Sequence, residues 1–242
     1  MFDLTKQSSP AAYRTMKKII VLGIHNSGST LLCRMMHHLR VNFGELHGHN
    51  WYGSSYEQVW IGNIMSRSMS FGQPPDWERI AECQNDLTKR INMFFQQWAG
   101  LDSAIKHPFL CAGMTVLDDE VLAGFSFVHC TRPLENSIKG AKAAYPQLAE
   151  GMTEYQNALH EGKNSIIARA QKLGCNIFDW NYDAMETNGR ELVENLAQWL
   201  DTGATKVNIE QALSLFDERM HHFGGLVERP LLNRDNIEYP AM

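Results

Sequence analysis

A continuous apolar run, Ile19 to Leu22, stops at Gly23 and leads into Ile24-His25-Asn26-Ser27-Gly28-Ser29-Thr30. A short apolar run ended by glycine predicts a strand buried on both faces, as in a parallel sheet. Beyond Thr30, the residues Leu31, Leu32, Met35, Met36 and Leu39 recur at helical spacing. They predict a helix with one apolar face. A strand, a glycine-bearing turn and a helix in this order restrict the chain to folds in which helices cross over a parallel sheet.

The turn has the frame GxxxxGK[ST], with Ser29 standing where that frame has lysine. Gly23 and Gly28 allow a tight backbone turn that brings N–H groups close to a ligand. The helix starting near Ser29 directs its free N–H groups and positive dipole end into the same space. Ser27, Ser29 and Thr30 add hydroxyl donors. A phosphate group fits such a loop; a plain strand-to-helix turn with a Ser/Thr cap is the simpler alternative. Without the lysine, a ligand lacking a γ-phosphate suits the loop better than a nucleoside triphosphate.

The same two patterns alternate along the chain. Helical spacing runs from Trp77 through Ile80, Leu87, Ile91 and Phe94 to Trp98, and again from Met152 to Leu173. It returns over Leu192–Leu200 and Ile209–Met220. Short strands are predicted at Ser103–Lys106, Phe125–Cys130 and Asn176–Phe178, with Pro133 placed at a first helical position. At 242 residues and 44% hydrophobic, the chain can bury a core of one α/β domain over 18–242, with residues 1–17 as a loose arm. A net charge of −5 argues against a protein that coats nucleic acid. No 18-residue apolar run suits a membrane span, and the first residues lack a secretory signal pattern. The five dispersed cysteines, with no CxxC pair, read as reduced thiols and point to the cytoplasm.

The segment Val21–Glu45 resembles the opening of the P-loop sulfotransferases, especially their bacterial and phage branch. A second segment, FSFVHCTRPLENSIKG, resembles that family's other donor-binding site. The resemblance implies a helix-rich α/β P-loop three-layer sandwich, with a central parallel sheet flanked by helices. It implies transfer of a sulfuryl group from 3′-phosphoadenosine 5′-phosphosulfate (PAPS) to a hydroxyl or amine of a small molecule, sugar or peptide. The donor would be held by Gly23, His25, Asn26, Ser27, Gly28, Ser29 and Thr30 at its 5′ end. Arg132, with Ser137 or Gly140, would hold its 3′-phosphate. The family has serine where this chain has Gly140, and lysine or arginine where it has Asn26; Lys139 and Lys142 lie nearby. IKHP, ending in Pro108, and the stretch from Asn176 to Leu200 resemble the family more weakly. No metal is implied.

Sulfuryl transfer needs a base for the acceptor proton, a stabiliser for the leaving phosphate and alignment of both reactants. Glu57, which follows Tyr56 and opens an expected helix, is the first candidate base, followed by Glu45 and His49. With Asn26 uncharged, His25 or Lys106 would stabilise the leaving group. Trp51, Tyr52, Tyr56 and Trp60 would line an acceptor pocket. Two alternatives stand beside transfer. One is a P-loop nucleotide or small-molecule kinase using Asp179 to hold magnesium. The other is a non-catalytic relative that binds a phosphorylated ligand. The close histidine pairs, 37/38, 47/49 and 221/222, make a poor metal site, because adjacent helical side chains diverge and HxH lacks a third ligand.

Overall fold

Ile19, Ile20, Val21 and Leu22 are fully buried, as a strand covered on both faces requires. They form β1 (Lys18–Leu22) in a computed structural model that describes residues 15–44 and 56–223, with side chains through residue 216. Three more strands follow: β2 (Ser103–Lys106), β3 (Ser126–Thr131) and β4 (Ile177–Asn181). Their order is β2-β1-β3-β4, and every pairing is parallel. Val21 pairs with Lys106, Leu22 with His129, and His129 with Asp179. The register therefore gathers the ends of all four strands along one edge of the sheet.

Helices supply the connections and outnumber the strands. They are α1 (Ser29–His38), α2 (Val59–Met65), α3 (Trp77–Glu82), α4 (Gln84–Gln97), α5 (Leu110–Gly113), α6 (Asp119–Leu122), α7 (Leu134–Ala144), α8 (Ala149–Lys172), α9 (Met185–Leu200) and α10 (Lys206–Phe223). Side chains of a strand alternate between faces, so each face has its own core. Ile20, Leu22, Ile105 and Phe127 pack with the buried residues of α4, α5 and α8. Ile19, Val21, Val128, Cys130 and Trp180 pack with those of α1, α9 and α10. The fold is thus α/β and helix-rich, with helices on both faces of a four-stranded parallel sheet. No helix among the described residues is long and apolar enough to cross a membrane.

Several expectations need adjustment. The predicted helix from Trp77 to Trp98 is two helices meeting at Cys83, and Trp77 lies 44% exposed at the outer start of α3. Pro133 sits just outside α7 as its N-cap, with extended ψ of 129°. Glu57 precedes α2 instead of opening it, since Gln58 is the N-cap. The third predicted strand is longer than the apolar letters, because edge strand β4 carries exposed Asp179 and Asn181. Lys17, assigned to the loose arm, is fixed in place. Its backbone N–H donates to Asp102 Oδ1 at 2.8 Å, and its ammonium to the carbonyls of Trp199 and Leu200 at the end of α9. A cation there complements the negative end of the helix dipole.

Candidate functional site

The turn between β1 and α1 closes on itself through Ser27, whose N–H and hydroxyl both donate to the Ile24 carbonyl, at 3.2 and 2.7 Å. Asn26 (φ 59°) and Gly28 (φ 85°) take left-handed backbone. That region is open to glycine and tolerated by asparagine, which accounts for both residue types. Gly28 is the N-cap of α1, and no side chain caps the helix. The first amides of α1 therefore lack intrahelical acceptors and face the loop. The Cys130 thiol donates to the Ser27 carbonyl at 3.2 Å, tying the loop to β3; burial pushes this thiol up to about 11.

Lys106 ends β2 beside the loop and is 2% exposed. Its ammonium donates to Glu57 Oε1 at 2.5 Å and to Thr30 Oγ1 at 3.4 Å. Burial alone would raise the Glu57 carboxyl. Lys106, His107 and His25 outweigh that and hold it at about 2. His25 lies within reach of the same charges. Its Nε2 is 2.8 Å from the Tyr155 hydroxyl, and Phe71 meets the ring edge-on at 4.6 Å. Burial lowers His25 to about 3 and His107 to about 4, so both imidazoles are neutral at neutral pH. Glu57, His25 and Lys106, expected from sequence as the reacting groups, therefore form one cluster.

Arg132 follows β3 and reaches across to the loop. Its Nη1 donates to the Asn26 carbonyl at 3.1 Å, and its guanidinium lies 4.9 Å over the Tyr182 ring. Asp183 Oδ1 approaches Nε at 3.5 Å, but Nε is buried without a hydrogen bond. On the first turns of α7, Ser137 is wholly buried and its Oγ also lacks a partner. Gly140, one turn further, faces Asn26; an added Cβ would lie 3.4 Å from Asn26 Cβ. The two α7 positions weighed from sequence thus share the face turned to the loop.

Other candidates fall elsewhere. Tyr56 is buried against Phe43 and His37, at 5.0 and 5.8 Å, on the α1 side of the sheet. Its backbone is left-handed (φ 57°) and its ring packs into that second core. Trp60 is partly buried against the opposite core. Asp179 is 72% exposed on the outer strand and engages His129 Nδ1 at 2.9 Å. Glu45, His49, Trp51, Tyr52 and the tail beyond residue 223 lie outside the described residues. Among the described residues, no three His, Cys, Asp or Glu side chains gather in a way that would hold a metal.

Four contributors carried no sequence signal of their own. Tyr155 and Gln156 come from the middle of α8, where helical periodicity marks them only as core. Gln156 Nε2 donates to the His25 carbonyl at 3.0 Å. Tyr182 and His107 gain their roles from strand pairing, which a single sequence does not display.

The neutral histidines give the fold an acid-sensitive range. Unfolded histidine takes up a proton near 6.5, whereas folded His25 and His107 refuse it until about 3 and 4. Their contribution is complete above pH 6.5 and is lost progressively as pH falls toward those values. Glu57 adds a later loss, between its ordinary 4.5 and about 2. Urea unfolding from pH 7.5 to 4 is expected to show stability falling below pH 6.5, by on the order of 2–3 kcal/mol at pH 5 after allowing for partial solvent exposure. A flat profile between pH 6.5 and 5 would contradict these assignments.

Comparison with family models, with curated proteins and with solved structures returns no match to this chain.

Proposed function

We propose that this protein is a P-loop sulfotransferase-like enzyme that moves a sulfuryl group from PAPS to a hydroxyl or amine acceptor. One observation carries the reading. Beside a glycine loop at the sheet edge, Arg132 Nε and Ser137 Oγ are buried without hydrogen-bond partners. Buried polar groups are nearly always paired, and an unpaired one is costly. A 3′-phosphate held by the planar fork of Arg132 would supply acceptors to both groups. The turn at Asn26–Thr30 and the start of α1 would hold the 5′-phosphosulfate end.

The residues divide the chemistry between them. As the bond from sulfur to the acceptor oxygen or nitrogen forms and the S–O bond to phosphate breaks, negative charge grows on the leaving phosphate. Lys106 and Thr30, already 3.4 Å apart, are placed to stabilise that charge. Glu57 takes the acceptor proton. Paired with Lys106 it is a weak base, because the ammonium holds its carboxyl at about 2. When the ammonium turns toward the leaving oxygen, Glu57 loses the partner that depresses it and gains basicity. The two demands of the reaction are then met by separating one ion pair. His25, neutral, acts as a hydrogen-bond donor or acceptor and not as a charge.

A second reading, a phospholigand-binding protein without turnover, rests on Asn26. It supplies no cation, and its carbonyl is engaged by Arg132. For the kinase alternative, the acid that would hold magnesium, Asp179 on outer strand β4, is bound to His129.

Calorimetric titration with adenosine 3′,5′-bisphosphate, against ATP with magnesium, tests the donor site. Wild type is expected to bind the bisphosphate and not ATP, and Arg132→Ala to bind it roughly tenfold to hundredfold more weakly. Binding of ATP–magnesium alone, or an unchanged affinity in the variant, would defeat the proposal. Release of the bisphosphate from PAPS, screened over phenol, sugar and amine acceptors, then separates an enzyme from a binding protein.

A further inference from the structure

His25 is gripped at three points by groups that the loop pattern does not include. Gln156 donates to its carbonyl at 3.0 Å, Tyr155 meets Nε2 at 2.8 Å, and Phe71 packs edge-on against the ring at 4.6 Å. Tyr155 and Gln156 are fully buried neighbours on α8, and the Tyr155 ring is itself braced by Phe71 at 5.5 Å. A ring held this way cannot turn freely, so which nitrogen carries its proton becomes a structural property.

The hydrogen-bond inventory decides the tautomer. A buried phenol O–H that donates to nothing leaves a costly unpaired donor. His25 Nε2 is the one acceptor for the Tyr155 hydroxyl among the described residues. Burial also raises the Tyr155 phenol far above its ordinary value, so it retains its proton. Tyr155 therefore donates and Nε2 accepts. A neutral imidazole that accepts at Nε2 must carry its proton on Nδ1, across the ring.

We propose that Tyr155 is a positioning residue that locks His25 as the Nδ1–H tautomer, giving the glycine loop a fixed, uncharged N–H donor for an anionic oxygen. Glu57, Lys106 and His107 are the titratable groups whose charges reach the same ring. Among the described residues none of the three hydrogen-bonds to the ring, so the Tyr155 hydroxyl sets the tautomer. The use of that N–H by a phosphosulfate oxygen rests on the function proposed above; the lock itself does not.

The test is nitrogen NMR of protein labelled in its histidines, with His25→Gln used to assign the signal. In wild type, His25 is expected to show a pyrrole-type Nδ1 and a pyridine-type Nε2 at neutral pH. In Tyr155→Phe, which keeps the ring and loses only the hydroxyl, the two nitrogens are expected to move toward a tautomer average. Affinity for adenosine 3′,5′-bisphosphate is expected to fall by about threefold to tenfold in the same variant. A wild-type proton on Nε2, or a spectrum unchanged in Tyr155→Phe, overturns the proposal. The wild-type spectrum alone decides the tautomer should the variant fold poorly. Lost locking with unchanged affinity in a bisphosphate-binding wild type would overturn the positioning role. A locked wild-type ring without any bisphosphate binding would instead count against the donor-site reading.

Discussion

Lys106→Met is expected to abolish the proposed sulfuryl transfer and to destabilise the protein by about 2–3 kcal/mol. The stability loss comes from Glu57. Its carboxylate is about one-third exposed and bonded to the Lys106 ammonium at 2.5 Å. Removing the cation takes away the charge that offsets the burial of this anion, and removing one partner of such a pair costs more than the pair itself contributes. The expected value lies below the range for fully buried pairs because water still reaches Glu57. Methionine fills most of the lysine volume, so little of the loss is a cavity effect. Adding Glu57→Gln should recover most of the stability and none of the activity. Urea unfolding of the single and double variants, beside turnover of PAPS, separates the two effects. An unchanged midpoint in Lys106→Met would show that the pair does not hold the loop edge together.

Gly28→Ala is expected to be at least as severe. At Gly28 the backbone has φ of 85°, and an added Cβ would fall 1.8 Å from Tyr182 Cδ2. The left-handed conformation costs alanine roughly 1–2 kcal/mol. Displacing a packed ring adds roughly 1–3 kcal/mol, so the sum is about 2–5 kcal/mol. The ring cannot move without disturbing Arg132, which stacks on it at 4.9 Å. One methyl group should therefore impair both ends of the proposed donor site and remove bisphosphate binding. Gly100→Ala is the matched control, since a Cβ there would meet nothing within 4 Å. Thermal unfolding and calorimetry on both variants would check this, and a stable, ligand-binding Gly28→Ala protein would contradict the geometry described.

The core strands and the long helices were legible in the sequence because burial on both faces writes itself as Ile19–Leu22, and helical burial as Leu31, Leu32, Met35 and Met36. Edge strand β4 was only half legible, since its exposed side alternates in polar residues such as Asp179 that a periodic reading discounts. The short helices α2, α5 and α6 escaped because four to seven residues give too few turns for a period to emerge. Within the site, the loop announced itself through Gly23 and Gly28, whose chemistry is local. Lys106, Glu57 and Arg132 were suggested one at a time, on resemblance. Their partners Tyr155, Tyr182 and His107 were invisible, because each meets the loop through tertiary contacts between segments far apart in the chain.

The sheet order has a kinetic side. Lys18 pairs with Ser103, Ile19 with Ser126 and Phe127 with Ile177, and all of these pairings are parallel. Among the described residues no hairpin exists in the sheet to nucleate it locally; each pairing closes a long, entropically costly loop before its contacts repay it. Refolding from denaturant should consequently be slow for the chain's size, with helical circular dichroism recovering ahead of the pairing of β1 with β3. Because Lys106, His25 and Arg132 stand at or just beyond the ends of three different strands of that sheet, the proposed ligand binding should be regained last.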